Sequence, residues 1–244
     1  MSHSLPENLK RLHDAEQVLR DKALDIIHGD DLGLHLAIVE LAMDLADTLR
    51  QFPTDDEDLK VAQVLGMRTF NAFASSLKLA LSGYMQNSAL VMRDILETVF
   101  LLDLFRGDHL LIKEWRFADK RKIKEKFSPV KVREALDKRY GHTEKKRAEI
   151  YQLFSELAAH PSMKSALMLR PTIGGDAVIG PFIEKQALTV QLSEMGRLAV
   201  QVGEVLGSFI PTWWGPAASC RASFVEAKSR WLNRFYRSNS TEGG

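Results

Sequence analysis

Hydrophobic side chains recur every three to four residues along most of the chain, and this spacing predicts helices almost throughout. The first helix begins near Ser4 and Pro6, which suit a cap and a first turn, and it ends at Gly29. The second helix stops before Pro53 and carries one continuous apolar stripe, formed by Leu34, Ile38, Leu41, Leu45 and Leu49. Each of the two helices is expected to present its apolar side to a core.

The segment from Leu59 to Phe105 contains no proline. One helix of that length would measure about 70 Å, which is too long for a compact domain of this size. The weakest point is Ser82-Gly83-Tyr84, so the sequence predicts two antiparallel helices over about 57–81 and 86–106. Both are apolar on most sides, which is typical of helices at the centre of a bundle.

Five further helices are predicted, over about 109–125, 129–139, 143–159, 184–209 and 217–236. Residues 167–183 have strand character around Gly174-Gly175-Asp176, and they predict a small β-hairpin or an ordered loop. The expected fold is an all-α multi-helix bundle with a central antiparallel helix hairpin, in a single domain over residues 1–236. Residues 1–52 either join that body or form a semi-detached helical hairpin, and residues 237–244 are expected to be a disordered tail.

Composition excludes several classes of protein. Balanced charge and 45% hydrophobic residues exclude a disordered chain, and the single cysteine, Cys220, excludes an intrachain disulfide and a cysteine-based zinc site. No apolar run reaches the length of a membrane span, and the N-terminus lacks an apolar signal segment. We therefore expect a cytoplasmic protein without a transmembrane segment, a metal or another cofactor.

Charge is unevenly distributed along the chain. Residues 1–60 carry 14 acidic and 6 basic side chains, whereas residues 113–147 carry 14 basic and 6 acidic ones. The two segments are either solvated helix faces that attract each other, within the fold or across a dimer, or the second is a patch for phosphate or nucleic acid. That patch would consist of Lys120, Arg121, Lys122, Lys124, Lys126, Lys131 and Arg133. A sequence pI near 7.9 does not favour a dedicated nucleic-acid binder.

Motif searches find no phosphate-binding loop, no nucleophile elbow and no zinc or di-iron pair of the Glu-x-x-His type. His28, Asp30, Asp31 and His35 cluster at a helix junction, where surface capping accounts for the acids without a metal. Trp213-Trp214 and the basic last helix are typical either of a membrane surface or of a helix that docks on its own bundle.

One polar constellation lies in the central helices. Arg93 and Glu97 are four residues apart and share a face of a helix that is apolar nearly all round. A later helix offers Tyr151, Ser155 and His160. The cluster is either an Arg–Glu pair that fixes helix register or a small acid–base site, with Arg93 binding phosphate or carboxylate and His160 carrying a proton.

These segments also carry a resemblance. The stretches ALSGYMQNSALVMRDILE (80–97) and YQLFSELAAHP (151–161) look like a group of uncharacterised bacterial all-helical proteins, similar in outline to HEPN-type helical bundles. The resemblance covers about 80 residues and implies a helical fold. HEPN ribonucleases carry Arg, four to six residues, then His on one helix, whereas this chain has only the closer pairs Arg106-x-x-His109 and Arg139-x-x-His142. The resemblance therefore does not carry the nuclease residues, and only Arg93, Glu97, Ser155 and His160 match the group's pattern.

Three functions follow as hypotheses. The first, favoured because no complete catalytic signature is present, is a non-enzymatic interaction protein or homo-oligomeric scaffold. The second is a HEPN-like ribonuclease or nucleotide-related enzyme of bacterial defence. The third is a peripheral membrane binder.

Overall fold

The computed structural model describes residues 5–160, 163–172 and 174–237. The fold is all-α, with 79% of the described residues in helices and none of them in a strand. The described residues form ten α-helices: α1 Glu7–Gly29, α2 Gly33–Gln51, α3 Glu57–Leu81, α4 Met85–Gly107, α5 Leu110–Arg116, α6 Lys120–Lys126, α7 Pro129–Tyr140, α8 Lys146–Phe154, α9 Lys185–Phe209 and α10 Pro216–Leu232.

The main core lies between α2, α3, α4 and α9, and α10 covers the outer side of α2. The apolar stripe of α2 supplies Ile38, Leu45 and Leu49, each at most 1% exposed. Helix α4 is buried on several sides, as its apolar sequence requires, and it touches the largest number of other helices. Because α4 is central, the polar side chains on it are held in fixed positions.

A three-residue turn, Ser82–Tyr84, separates α3 from α4. Gly83 has φ +89°, and a Cβ atom there would lie 2.7 Å from the backbone nitrogen of Phe182, so both the conformation and the space require glycine. Ser76 contacts Ser88 and Arg68 contacts Asp94 across the pair, so the two helices run antiparallel. This arrangement places Arg93, Asp94 and Glu97 beside α3.

The segment over 109–125, expected as one helix, forms two short helices instead. Helix α5 ends at Arg116, and Asp119 then caps α6 by accepting a hydrogen bond from the Lys122 backbone N–H at 2.7 Å. An aspartate at this position accepts a hydrogen bond from a free backbone N–H of the first turn, and this favours the start of a new helix. The chain therefore turns between the two pieces, and Phe127 packs beside Phe105 in the core.

The chain between α8 and α9 is irregular. Ser155–Ala159 form a π-helical turn and Ser165–Leu169 form a 3₁₀ turn, after which turns and bends continue to α9. In residues 167–183, the segment predicted to be a hairpin or an ordered loop, the Val178 N–H donates to the Leu169 carbonyl at 3.0 Å. Residue Ile173 lies outside the described residues, as do residues 238–244 of the predicted tail.

Helix α1 contributes to a second, smaller cluster of buried side chains with the α3–α4 turn and the start of α9. Only Ala23 and Ile27 of α1 are buried. The Tyr84 hydroxyl donates to Glu16 at 2.8 Å and anchors the middle of α1 to the turn. Between Leu5 and Ala15 every residue is exposed except Leu12, which is half-buried.

Candidate functional site: an arginine–tyrosine cluster beside the central helix

Arg93 and Glu97 form an ion pair on α4, with 3.0 Å between Nη2 and Oε1. Their side chains are 23% and 31% exposed, so the pair lies at the edge of the bundle and not in a sealed core. The same Nη2 donates to the hydroxyl of Tyr151 on α8. The structure therefore brings together Arg93, Glu97 and Tyr151 from two helices that are far apart in sequence.

Ser155 and His160 flank this contact without entering the ion pair. The hydroxyl of Ser155 donates to the Tyr151 carbonyl at 2.8 Å, so it serves its own helix. The His160 backbone N–H donates to the Ser155 carbonyl at 3.0 Å, and its side chain is exposed at the end of the π-helical turn. That turn packs against α4. Single π-helical turns are frequent at functional sites.

Arg133 on α7 completes the cluster and was not singled out in the sequence except as one member of the basic segment. Its guanidinium carbon lies 3.9 Å from the centroid of the Tyr151 ring, and that of Arg93 lies 4.7 Å from the same centroid. Arg133 is 8% exposed. The sequence could have indicated this burial through helical spacing, because Arg133 lies between Val132 and Leu136 on the buried face of α7.

A groove runs along α4 beside the cluster. It holds a cavity of about 460 Å³, lined in part by Arg93, and an adjoining one of about 330 Å³ that reaches Trp115 and Phe127. Both cavities are lined by Arg68, Asp94 and Glu97, and Arg68 pairs with Asp94 across the groove. The groove is wide enough for a small polar ligand.

A larger cavity, of about 750 Å³, lies on the other side of α4, against α7, α8 and α9. Its most buried charge is Asp103, 9% exposed, which accepts from Arg106, from Arg139 and from the Tyr140 hydroxyl. Arg139 also donates to the carbonyls of Asp103 and Leu104, at 2.8 and 3.3 Å. These are among the last carbonyls of α4, so the network caps that helix and its charges are already partnered.

The basic segment is largely neutralised by nearby acids. Lys122 and Lys126 both pair with Glu114, while Arg121 pairs with Glu125 and Lys131 with Glu134. Arg133 is buried against Tyr151. Only Lys120 and Lys124 of the seven predicted residues remain exposed without an ion pair within the described chain. The geometry of the six other side chains therefore resembles a solvated face more than a phosphate-binding surface.

Among the described residues, the acidic segment (1–60) and the basic segment (113–147) form ion pairs with each other at one place only. Arg116 of α5 pairs with Glu57 and Asp58 at the start of α3, at 3.2 and 2.8 Å. Elsewhere the acids near the N-terminus pair locally, as Asp47 does with Arg50, or with the C-terminal half, as Asp30 does with Lys185.

The last helix docks on its own bundle. Its apolar residues Ala217, Phe224, Ala227 and Trp231 are buried, mainly against α2. Trp214 is half-buried with its ring edge on Phe52, whereas Trp213 is 75% exposed. No helix among the described residues is long and apolar enough to cross a membrane.

The histidine–aspartate cluster near residue 30 is not a set of surface caps. His35 is buried and accepts a hydrogen bond from Trp231, while Asp30 and Asp31 form ion pairs with Lys185 and Arg234. In the part of the chain that the structure describes, no three His, Cys, Asp or Glu side chains are grouped to hold a metal ion.

Comparison with known proteins adds no relative: the chain matches no family model, no curated protein and no solved structure. The functional argument therefore rests on the geometry of this chain.

Proposed function

We propose that this protein is a non-enzymatic interaction protein that self-associates as a homo-oligomer through helix α1. The observation that carries the proposal is an apolar stripe on α1 that continues beyond the body of the fold. The stripe is covered by the chain itself at Ala23 and in part at Leu19 and Ile26, but Leu5 and Leu9 are 52% and 49% exposed.

The spacing of this stripe indicates what covers it. Alternating steps of four and three residues connect its apolar positions, and Glu16 is the one polar residue in the series. The positions are Leu5, just before α1, and Leu9, Leu12, Glu16, Leu19, Ala23 and Ile26 within it. A period of 3.5 residues is typical of a helix that packs against another helix. The stripe thus favours a helical partner over a flat surface.

A second copy of α1 fits this segment. Lys10 and Arg11 alternate with Glu7 and Asp14 beside the exposed leucines, where they form ion pairs within the helix. In an antiparallel pair related by a two-fold axis centred at Leu9, Glu7 of one copy lies opposite Arg11 of the other, and an axis at Leu12 sets Lys10 opposite Asp14. The exposed stripe is short, and such a contact is smaller than a standard interface of about 1,600 Å², so we expect a concentration-dependent dimer.

Sedimentation velocity over a range of protein concentrations tests this. We expect the wild-type protein to approach twice the chain mass as concentration rises and Leu9→Asp to remain a monomer. The matched control is Val18→Asp, because Val18 is 67% exposed on the opposite face of the same helix and should leave the dimer intact. A wild-type protein that stays monomeric at all concentrations, or equal effects of the two variants, would contradict the proposal.

The two alternatives have less support. A HEPN-like ribonuclease is favoured by the two arginines on Tyr151, but a proton-carrying role requires His160 to turn from its exposed position toward Arg93. A membrane-binding surface is favoured by the exposed Trp213 alone, since the apolar face of α10 is occupied by α2.

A further inference from the structure

Two guanidinium groups share the ring of Tyr151, and each comes from a different helix. Arg93 projects from α4 and Arg133 from α7, with guanidinium carbons 4.7 and 3.9 Å from the ring centroid. Tyr151 itself lies on α8, about one helical turn before the π-helical turn begins at Ser155. Three helices therefore converge on a point of concentrated positive charge.

The charges at this point do not balance. Arg93 has Glu97 as its carboxylate partner, but within the described chain no carboxylate lies within 4 Å of Arg133. An arginine side chain cannot lose its proton at neutral pH, so Arg133 is a buried cation. The attraction of a cation to the face of an aromatic ring is weaker than the cost of burying an unpaired charge.

Hydrogen-bond donors are also left over. The Nε and Nη1 atoms of Arg133 and the Nε atom of Arg93 are buried and have no acceptor. Buried donors almost always have a partner, and an unpaired one destabilises the fold, more strongly when it is charged. Each of the unpaired atoms of Arg133 shares a planar donor fork with Nη2, and such a fork matches two oxygens of a carboxylate or a phosphoryl group.

We infer that this cluster binds an oxyanion, a carboxylate or phosphoryl group of a small ligand. Arg133 is the principal binding residue, through Nη2 together with Nε or Nη1, and the Nε atom of Arg93 adds a further donor beside the groove along α4. The site is independent of the stripe on α1, and it requires no catalytic step.

Access to the site is through α8. This nine-residue helix buries only one of its side chains, Phe154, so moving it outward breaks few apolar contacts. Such a movement carries Tyr151 away from Arg133 and exposes the unpaired donors. The Tyr151 ring then acts as the cover of the site, and the bound anion replaces the contacts that the ring makes.

Thermal unfolding with inorganic phosphate as the probe tests the inference. Sodium phosphate replaces sodium chloride at constant ionic strength and pH, and a parallel titration uses sodium acetate. We expect the melting temperature of the wild-type protein to rise with at least one anion, and Arg133→Met to weaken the apparent affinity at least tenfold. A rise with phosphate alone identifies a phosphoryl ligand, and a rise with acetate alone identifies a carboxylate.

The matched control is Arg121→Met, which removes an exposed arginine of α6 that pairs with Glu125 of the same helix. It should titrate like the wild type, because general salt effects act on all variants alike. If Arg133→Met fails to fold, Arg93→Met takes its place and should weaken the affinity several-fold. No rise in the wild type with either anion, or rises of equal size in the wild type and the arginine-site variant, would overturn the inference.

Discussion

The indole N–H of Trp231 donates a hydrogen bond to Nδ1 of His35 across 2.8 Å and so joins the last helix to the second. His35 is 2% exposed, and its ring stacks on Phe235 at a centroid distance of 4.1 Å. Burial, together with the nearby charge of Arg197, lowers the pKa of His35 to about 4. A nitrogen that accepts this bond carries no proton, so His35 is neutral in the folded protein and its proton is on Nε2.

Stability should therefore fall as the pH drops below neutral. The unfolded chain takes up a proton on His35 near pH 6.5, whereas the folded protein does so only near pH 4, so acid favours the unfolded state between these values. We expect a loss of about 2 kcal/mol between pH 7 and pH 5 from this residue. Urea unfolding across this range measures it. His35→Gln retains an acceptor for Trp231 without titrating, and an equally steep pH dependence in that variant would contradict the assignment.

Two glycines of α9 should respond in opposite directions to alanine. A Cβ atom at Gly203 would lie 2.1 Å from Cε2 of Phe224, whose ring is buried, whereas nothing lies within 4 Å of a Cβ atom at Gly207. We expect Gly203→Ala to destabilise the fold by about 1–3 kcal/mol through overpacking. Gly207→Ala should stabilise it by up to about 1 kcal/mol through helix propensity. Differential scanning calorimetry of both variants decides this, and melting temperatures that change in the same direction would be inconsistent with the packing of α10 on α9.

The two members of the buried serine pair between α3 and α4, Ser76 and Ser88, should differ in the stability that is lost when each is replaced by alanine. Ser88 Oγ donates to the Ser76 carbonyl at 2.9 Å and accepts from Gln191 of α9 at 2.8 Å. Ser88→Ala removes both bonds and should cost about 1–3 kcal/mol. Ser76→Ala should cost less, because Ser88 retains these two partners. Denaturant midpoints measure the difference, and the exposed Ser75→Ala, expected near zero, is the control. Equal costs for Ser76 and Ser88 would argue against the three-helix network.

The Arg93–Glu97 pair should contribute modestly to stability. Both side chains reach solvent, and Arg93 retains the Tyr151 hydroxyl if Glu97 is removed. We expect Glu97→Ala to cost about 1 kcal/mol, and the coupling energy from a cycle with Arg93→Met to be below about 1 kcal/mol. The fully exposed pair of Arg121 and Glu125 provides a reference cycle. A loss of roughly 3–5 kcal/mol would instead indicate a sealed, buried pair.

The positions of the main helices could be predicted from the sequence because their causes are local. The stripe of α2, the glycine at position 83 and the proline at position 53 act within a turn or two of their own place in the chain. The division between α5 and α6 was missed although Asp119 is a local signal, since apolar spacing across it is continuous enough to suggest a single helix. The all-α class follows from such local patterns without any knowledge of packing.

Partners distant in sequence were decided only by the tertiary structure. The pairing of Arg93 with Glu97 could be predicted from the sequence because the two residues are four apart on one helix. The contact of Arg133 with Tyr151 could not, since nothing in either local pattern encodes how α7 and α8 cross. His35 looked like part of a surface junction, and the packing of α10 made it a buried acceptor for Trp231. The sequence alone determined which faces of the helices are apolar. Which helices cover those faces, and which charges are left without a partner, depends on contacts between residues far apart in the chain, where only the three-dimensional packing of side-chain volumes sets the distances.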